Sequence, residues 1–331
     1  MERIASQGAD WFYRGEFAGK LADFAAGSGG YLTESDMAGY HPEWVEPLGV
    51  EYGGLEVLEL PPNGQGVATL LALNILRHLP LERYPRESVE AYHLQIEAMK
   101  LALADVHAHV ADPKYMQVTV EEMLSFDYAR KRAALVGKEA AAAPLSGLPR
   151  GGTVYLAAAA GGLMVSFIQS NYMGFGSMVA VPGTGAALQN RGAGFSTRAG
   201  QPNQVAPGKR PFHTIIPGFL MKGGRPWGPF GLMGGPMQPQ GHVQMVVNMT
   251  VFGLNTQAAL DAPRWQVTEA GEVWLEPGVG RHIAQGLADR GHQVRLVADE
   301  LPFGKGQIIL RQGQTWMAAS EPRADGQAQV F

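Results

Sequence analysis

The chain changes texture near its midpoint, and that change limits the folds open to it. Residues 138–152, KEAAAAPLSGLPRGG, mix small residues with two prolines and three glycines, and the apolar run VYLAAAA follows directly after Thr153. Proline and glycine at that density end regular structure, so 138–152 reads as an exposed linker, where a protease or the chain itself would cut most easily. Before it the apolar spacing is helical; after it, strands and helices come in runs. Such an order predicts a layered α+β protein rather than a doubly wound parallel sheet.

In the first part, Thr33 is placed to cap a helix, with Asp36 three residues on in the capping-box position. Residues 48–60 alternate enough for two short strands around Gly53–Gly54, and Pro61–Pro62–Asn63–Gly64 breaks the pattern. Residues 67–79 and 88–110 predict core helices, the second stopped by Asp112–Pro113, and 119–136 predicts a third, capped by Thr119 with Glu122 three positions later. Beyond the linker the strand candidates are 153–160, 163–170, 178–181, 214–222, 294–298, 306–311 and 315–319. The helix candidates are 237–252, 256–261 and 279–290. Residues 1–152 and 153–331 are expected to form one structural domain together.

Composition removes several classes of function. There is no cysteine, which excludes disulfides, thiolate metal sites and a cysteine nucleophile. The net charge is −4 with no run of Lys or Arg, the wrong balance for a nucleic-acid partner. Residues 154–168 are apolar but fall short of the roughly 18–20 residues that span a bilayer. Gly161–Gly162 interrupts them, so they read as two strands joined by a tight turn, and no membrane partner is expected. The N-terminus, MERIASQGADWF, lacks the charged-then-apolar order of a signal peptide and leaves the compartment open.

Several local patterns have a chemical and a bland reading. His107 and His109 are two apart, and on a helix such residues diverge, so they are ordinary helix-end histidines rather than a metal pair. GFGSMV from Gly174 and GTG from Gly183 lack the third glycine and the strand–helix frame of a dinucleotide loop, and there is no GKS or GKT; they are turns. GLMGGP at 231–236 precedes an apolar helix. Two consecutive glycines there can turn backbone N–H groups toward one point at a helix N-terminus, as in an oxyanion hole, or can be a plain tight turn. Spacing alone leaves that choice open, as it does for Thr153.

Taken together, GGTVYL (151–156), SNYMGFGS (170–177), PGTGAALQNRGAGF (182–195), PGKRPFHTIIPG (207–218), GLMGGP (231–236) and GLNTQAALDAPRW (253–265) resemble the γ-glutamyltransferase (γ-glutamyltranspeptidase) family of N-terminal-nucleophile hydrolases. MERIASQGADWFYRGEFAGKLADF and YLTESDMAGY resemble the middle of that family's large subunit. The resemblance implies a four-layer αββα sandwich and a shortened chain or a piece of one, because residue 1 falls well inside the large subunit. It implies self-cleavage between Gly152 and Thr153, giving two subunits from one chain, with Thr153 as N-terminal nucleophile. The substrate is then a small-molecule amide, and no cofactor or metal is expected. Oligomeric state is left open. The alternative expectation is a chain that, without the N-terminal third, stays uncut as an inactive remnant or binding scaffold.

Carried over by position, Ser170 falls where the family has a threonine that hydrogen-bonds the nucleophile, and Gly234 and Gly235 match the oxyanion-hole pair. His213 and Thr214 fall on two serines that contact the γ-glutamyl group, and Tyr172 replaces an asparagine near the new amine. The main departure is in QNRGAGF. Transpeptidases carry an acidic residue just before the phenylalanine, to hold the substrate's α-ammonium; here it is Gly194, while Arg191 replaces a neutral glutamine. Arg pairs bidentately with carboxylates, so the change suits an acyl end that is anionic or lacks an amine. The pattern resembles the acylase- and amidohydrolase-like branch, including glutaryl-cephalosporin acylases and oxamate amidohydrolase, with hydrolysis expected over transpeptidation. Val154, where transpeptidases have a second threonine, is a further departure.

Overall fold

The computed structural model describes residues 1–141, 152–299 and 301–331, so 142–151 of the expected linker lie outside the described residues. The chain opens with four short helices, α1 (Glu2–Gln7), α2 (Ala9–Tyr13), α3 (Glu16–Gly27) and α4 (Glu34–Ala38). Thr33 caps α4, and its side chain and that of Asp36 satisfy each other's backbone N–H as a full capping box. Strands β1 (Leu48–Tyr52) and β2 (Leu55–Glu59) pair antiparallel around Gly53–Gly54, both in the left-handed region that glycine tolerates. Helix α5 (Gly66–Leu76) is buried along its whole length and packs against α6 (Val89–His109), which Ser88 caps. The helix expected over 119–136 is two: α7 (Val120–Met123), capped by Thr119 with Glu122, and α8 (Phe126–Ala133). Ser125 divides them by turning its hydroxyl to the Tyr128 N–H as a fresh N-cap, which a continuous helix does not allow.

The second part supplies β3 (Gly152–Ala160) and β4 (Leu163–Tyr172), a hairpin through Gly161–Gly162, and the short pair β5 (Ala180–Val181) and β6 (Ala186–Ala187). Strand β7 (Gly218–Lys222) begins later than the 214 expected, and β8 (Arg225–Met233) was not anticipated. Helices α9 (Met237–Thr250) and α10 (Thr256–Asp261) follow, then β9 (Trp265–Val267), β10 (Val273–Leu275), α11 (Arg281–Asp289), β11 (Val294–Leu296), β12 (Lys305–Gln312) and β13 (Thr315–Ser320). A six-stranded antiparallel sheet runs β1-β2-β7-β8-β12-β13, so strands from both sides of residue 152 share one ladder.

Side-chain alternation along β8 sets the layers. Leu232 meets Gly241 of α9 and the Phe230 ring lies on His242 of the same helix, while Gly231 faces the Tyr155 ring of β3. Helices therefore cover one face of the sheet and the β3–β4 hairpin stacks on the other. This is the mixed α/β architecture of stacked sheets and flanking helices that N-terminal-nucleophile hydrolases share. On the hairpin's outer face Val154, Leu156, Leu163 and Phe167 are exposed. Among the described residues no helix is long and apolar enough to cross a membrane.

Candidate active site

Strand β3 enters its hairpin out of step. Thr153 stands opposite Ser170, but Gly152 stands opposite Tyr172, so β4 carries a bulge, with Asn171 as the extra residue, facing the Gly152–Thr153 peptide bond. Tyr172, at the far end of β4, has φ 80°, a conformation that costs a non-glycine residue of order 1–3 kcal/mol and needs neighbours to hold it. Two contacts do so: the Ser170 hydroxyl accepts the Tyr172 N–H at 2.8 Å, and the Arg191 guanidinium lies 5.0 Å over the Tyr172 ring. The irregular backbone of β4, at Asn171 and Tyr172, thus lies across from the bond the family resemblance marks for cleavage.

Arg191 sits on the loop after β6, held to the end of β4 by Asn190, whose N–H reaches the Asn171 carbonyl and whose side chain accepts the Met173 N–H. Its Nη1 donates to Thr214 Oγ1 at 3.1 Å, while its Nη2 is buried without a hydrogen-bond partner among the described residues. Tyr172, Arg191, Gly194, Phe212 and Thr214 line a cleft too narrow to admit water. Burial lowers the Arg191 pKa, opposed by Tyr172, and raises that of Tyr172. His213 points elsewhere: its ring packs on Gly64, where a Cβ would come within 2.9 Å of Cε1. Burial, then Arg191 and Arg210, pull His213 down to about 4, so it is neutral at pH 7.

Gly234 and Gly235 form the strand–turn–helix junction between β8 and α9, with φ 136° and 58°. The Gly234 carbonyl accepts from Met237 N–H at 3.1 Å, into the first turn of the helix. Because a trans peptide opposes its C=O and N–H, the Gly235 N–H of the same unit points away from that first turn. The Gly231–Tyr155 contact fixes β3 over β8 two residues from Thr153 and three from Gly234. The structure therefore brings Thr153 and Ser170 together as cross-strand partners, gathers Tyr172, Arg191 and Thr214 in one cleft, and leaves His213 outside its lining.

Two contributions carry no local signal in the sequence. The Pro61–Gly64 break, read as a plain interruption, runs beside 211–214: His213 N–H bonds the Asn63 carbonyl and Gln65 N–H the His213 carbonyl, both at 3.1 Å, and Asn63 Nδ2 donates to Pro211 O at 2.6 Å. Glu269, on the turn between β9 and β10, lies near enough to Tyr172 to raise its pKa, and desolvation pushes the Glu269 carboxyl itself up to about 8. The amides of Gln240 and Gln244 on α9 pair with the backbone of Val267 and Trp265 and so hold that turn.

His93, Glu97 and His292 form a buried group with ligand-like spacing, but Lys100 Nζ occupies it, 2.9 Å from Glu97 Oε1 and 3.1 Å from His292 Nδ1. With Lys100 donating, His292 donates to His93, and His93 to the Gly137 carbonyl at 3.0 Å. Glu97 Oε2 accepts the Ala141 N–H, so the group fastens the start of the linker.

The comparisons with known proteins agree with this geometry. The gamma-glutamyltranspeptidase family model matches residues 1–331. The glutathione hydrolase-like YwrD proenzyme of Bacillus subtilis is 35% identical, over 98% of this chain and 63% of its own. The oxamate amidohydrolase proenzyme of Klebsiella pneumoniae is 32% identical, over 99% of this chain and 63% of its own. The crystal structure of a cephalosporin acylase from Bacillus halodurans superposes with a TM-score of 0.94 at 52% identity, covering 100% of this chain and 61% of that one. The chain thus spans less than two thirds of each of these relatives. Its fold, its residues around position 153 and these likenesses agree: the chain belongs to the gamma-glutamyltranspeptidase family.

Proposed function

We propose that the chain is an N-terminal-nucleophile amidohydrolase that cuts itself between Gly152 and Thr153 and then hydrolyses small amides whose acyl group ends in a carboxylate. The observation that carries the reading is the β4 bulge at Asn171 facing the Gly152–Thr153 bond, with Ser170 opposite Thr153 and the Tyr172–Arg191 stack opposite Gly152. In the first step Thr153 Oγ attacks the Gly152 carbonyl carbon, and the C–N bond breaks as the C–O bond forms. The nitrogen takes up the proton that Oγ loses, and water hydrolyses the resulting ester. The shift frees an α-amine of pKa about 7.7–8.0, and hydrolysis restores the hydroxyl whose proton that amine can take near neutral pH.

In turnover the Thr153 hydroxyl attacks the substrate carbonyl while its proton passes to the α-amine and on to the departing amine. The Gly234 and Gly235 N–H groups face the developing oxyanion, and each such donor is worth about 2.7–4 kcal/mol. Water then hydrolyses the acyl-Thr153 ester. Arg191, with Nη2 unpartnered and Thr214 on its Nη1, receives the distal carboxylate; neutral His213 adds no competing charge. The narrowness of the cleft in the uncut chain is consistent with an order in which cleavage comes before substrate binding.

Incubation followed by denaturing electrophoresis and N-terminal sequencing tests the first step. Two fragments, the smaller starting Thr-Val-Tyr-Leu, are expected, and Thr153→Ala should abolish both cutting and turnover. A Thr153→Ala protein that still splits sinks the mechanism. Among a γ-glutamyl anilide, a glutaryl anilide and oxamate, faster cleavage of the γ-glutamyl compound counts against the role given to Arg191. A single band stable on long incubation counts against the first step and leaves an uncut, inactive binding scaffold as the alternative.

A further inference from the structure

Gln65 comes from the segment before the linker, yet its side chain ends between two parts of the candidate site. It is buried, and its Nε2 donates one N–H to the Thr214 carbonyl at 2.7 Å and the other to the Gly235 carbonyl at 2.9 Å. The two N–H directions of a planar amide diverge by about 120°, so the two carbonyl oxygens are held roughly 5 Å apart. One carbonyl belongs to the residue that anchors Arg191, the other to the turn that presents the Gly235 N–H. The neighbouring backbone reinforces the clip, through Gln65 N–H to His213 O and His213 N–H to Asn63 O.

We propose that Gln65 is a positioning residue that sets the distance between the acyl-binding wall at Thr214 and the oxyanion turn at Gly234–Gly235. The proposal rests on the site reading above. A substrate held at Arg191 presents its carbonyl to the turn only if the two stand at a fixed separation, and one rigid amide bonded to both is the shortest way to fix it. No other side chain among the described residues donates to both segments. Gln65 touches neither reacting atom.

Three forms of the chain decide it: wild type, Gln65→Met, which keeps the volume and loses both donors, and Gln65→Asn, one methylene shorter and able to reach only one carbonyl. Hydrogen exchange should rise at 213–216 and at 234–238 together in Gln65→Met, and at only one of them in Gln65→Asn, with β7 and β8 still protected. On glutaryl anilide the cut Gln65→Met enzyme should lose roughly 10- to 100-fold in kcat, with KM raised, while cleavage before Thr153 is retained. A purely structural role lowers the folded fraction and leaves KM alone. Unchanged exchange at both segments, or kcat and KM equal to wild type in a folded variant, overturns the proposal. If Gln65→Met does not fold, the one-segment loosening of Gln65→Asn decides. If wild type never cuts before Thr153, the proposed function fails, and the exchange experiment still judges the clip.

Discussion

Restoring the acidic residue that transpeptidases carry before the phenylalanine means placing aspartate at Gly194, and the structure opposes it. A Cβ at 194 would lie 2.3 Å from the Phe212 carbonyl oxygen and 3.6 Å from Pro211 Cβ. The obstacle is backbone, and it is braced: Asn203 donates to the Gly194 carbonyl at 2.6 Å and accepts the Phe212 N–H at 3.1 Å, tying the two segments of the clash together. Overpacking against atoms that cannot swing aside costs about 1–3 kcal/mol. Gly194→Ala should show that loss alone in urea unfolding at neutral pH. Gly194→Asp should lie within about 1 kcal/mol of it, since the new carboxylate gains Arg191 Nη2 as a half-buried partner and offsets part of the strain. Because Arg191 takes that carboxylate, the aspartate variant should lose glutaryl anilide hydrolysis without gaining a preference for the γ-glutamyl anilide. A Gly194→Ala protein neutral within about 0.5 kcal/mol would exclude the clash, and a Gly194→Asp protein whose γ-glutamyl to glutaryl rate ratio rises tenfold or more, which is about 1.4 kcal/mol, would exclude the pairing with Arg191.

Two further outcomes follow from particular side chains. Desolvation holds the Glu269 carboxyl at about 8, above its unfolded value of roughly 4.3, so its favourable contribution is complete below the unfolded pKa and is lost as pH rises through 8. Glu269→Gln should therefore match wild type in urea unfolding near pH 4 and exceed it by about 1–2 kcal/mol at pH 9, discounted for partial exposure; an equal difference at both pH values would falsify the assignment. Leu156 and Phe167 face each other across the hairpin, 43% and 44% exposed, so Leu156→Lys with Phe167→Lys should reduce anilinonaphthalene sulfonate binding at a stability change within about 0.5 kcal/mol, and unaltered dye binding counts against an open apolar face there.

What could be read from the sequence was whatever local chemistry decides. The Thr33 and Thr119 caps, the Gly53–Gly54 hairpin and helix 256–261 each follow from side chains within a few residues of their backbone partners. Strand β8, RPWGPFGLM, could not be read this way, because its glycines and prolines are breakers in isolation. In the sheet they are demanded by neighbours: a Cβ at Gly228 would lie 1.9 Å from the Ile309 carbonyl oxygen, and Gly231 makes room for Tyr155. Gln65 and Glu269 escaped for the same reason, since their partners lie 149 and 170 residues away for the first and on another hairpin for the second. The positions of Tyr172, Arg191 and Thr214 were named through the family resemblance, and only the structure supplies the stack, the unpartnered Nη2 and the braced glycine that tie them together.

The shared ladder has a consequence for what a cut at residue 152 does to the molecule. Strand β2 pairs with β7 at Glu56–Met221, Val57–Leu220 and Leu58–Phe219, and α5 packs against α9, so the two pieces stay joined through a common core. What changes is the order of the unfolding reaction. An uncut chain unfolds to one molecule, and its melting temperature is independent of dilution. A cut chain unfolds to two, and mass action makes its melting temperature fall as the protein is diluted. Refolding changes in the same sense, from a search within one chain to an encounter between two.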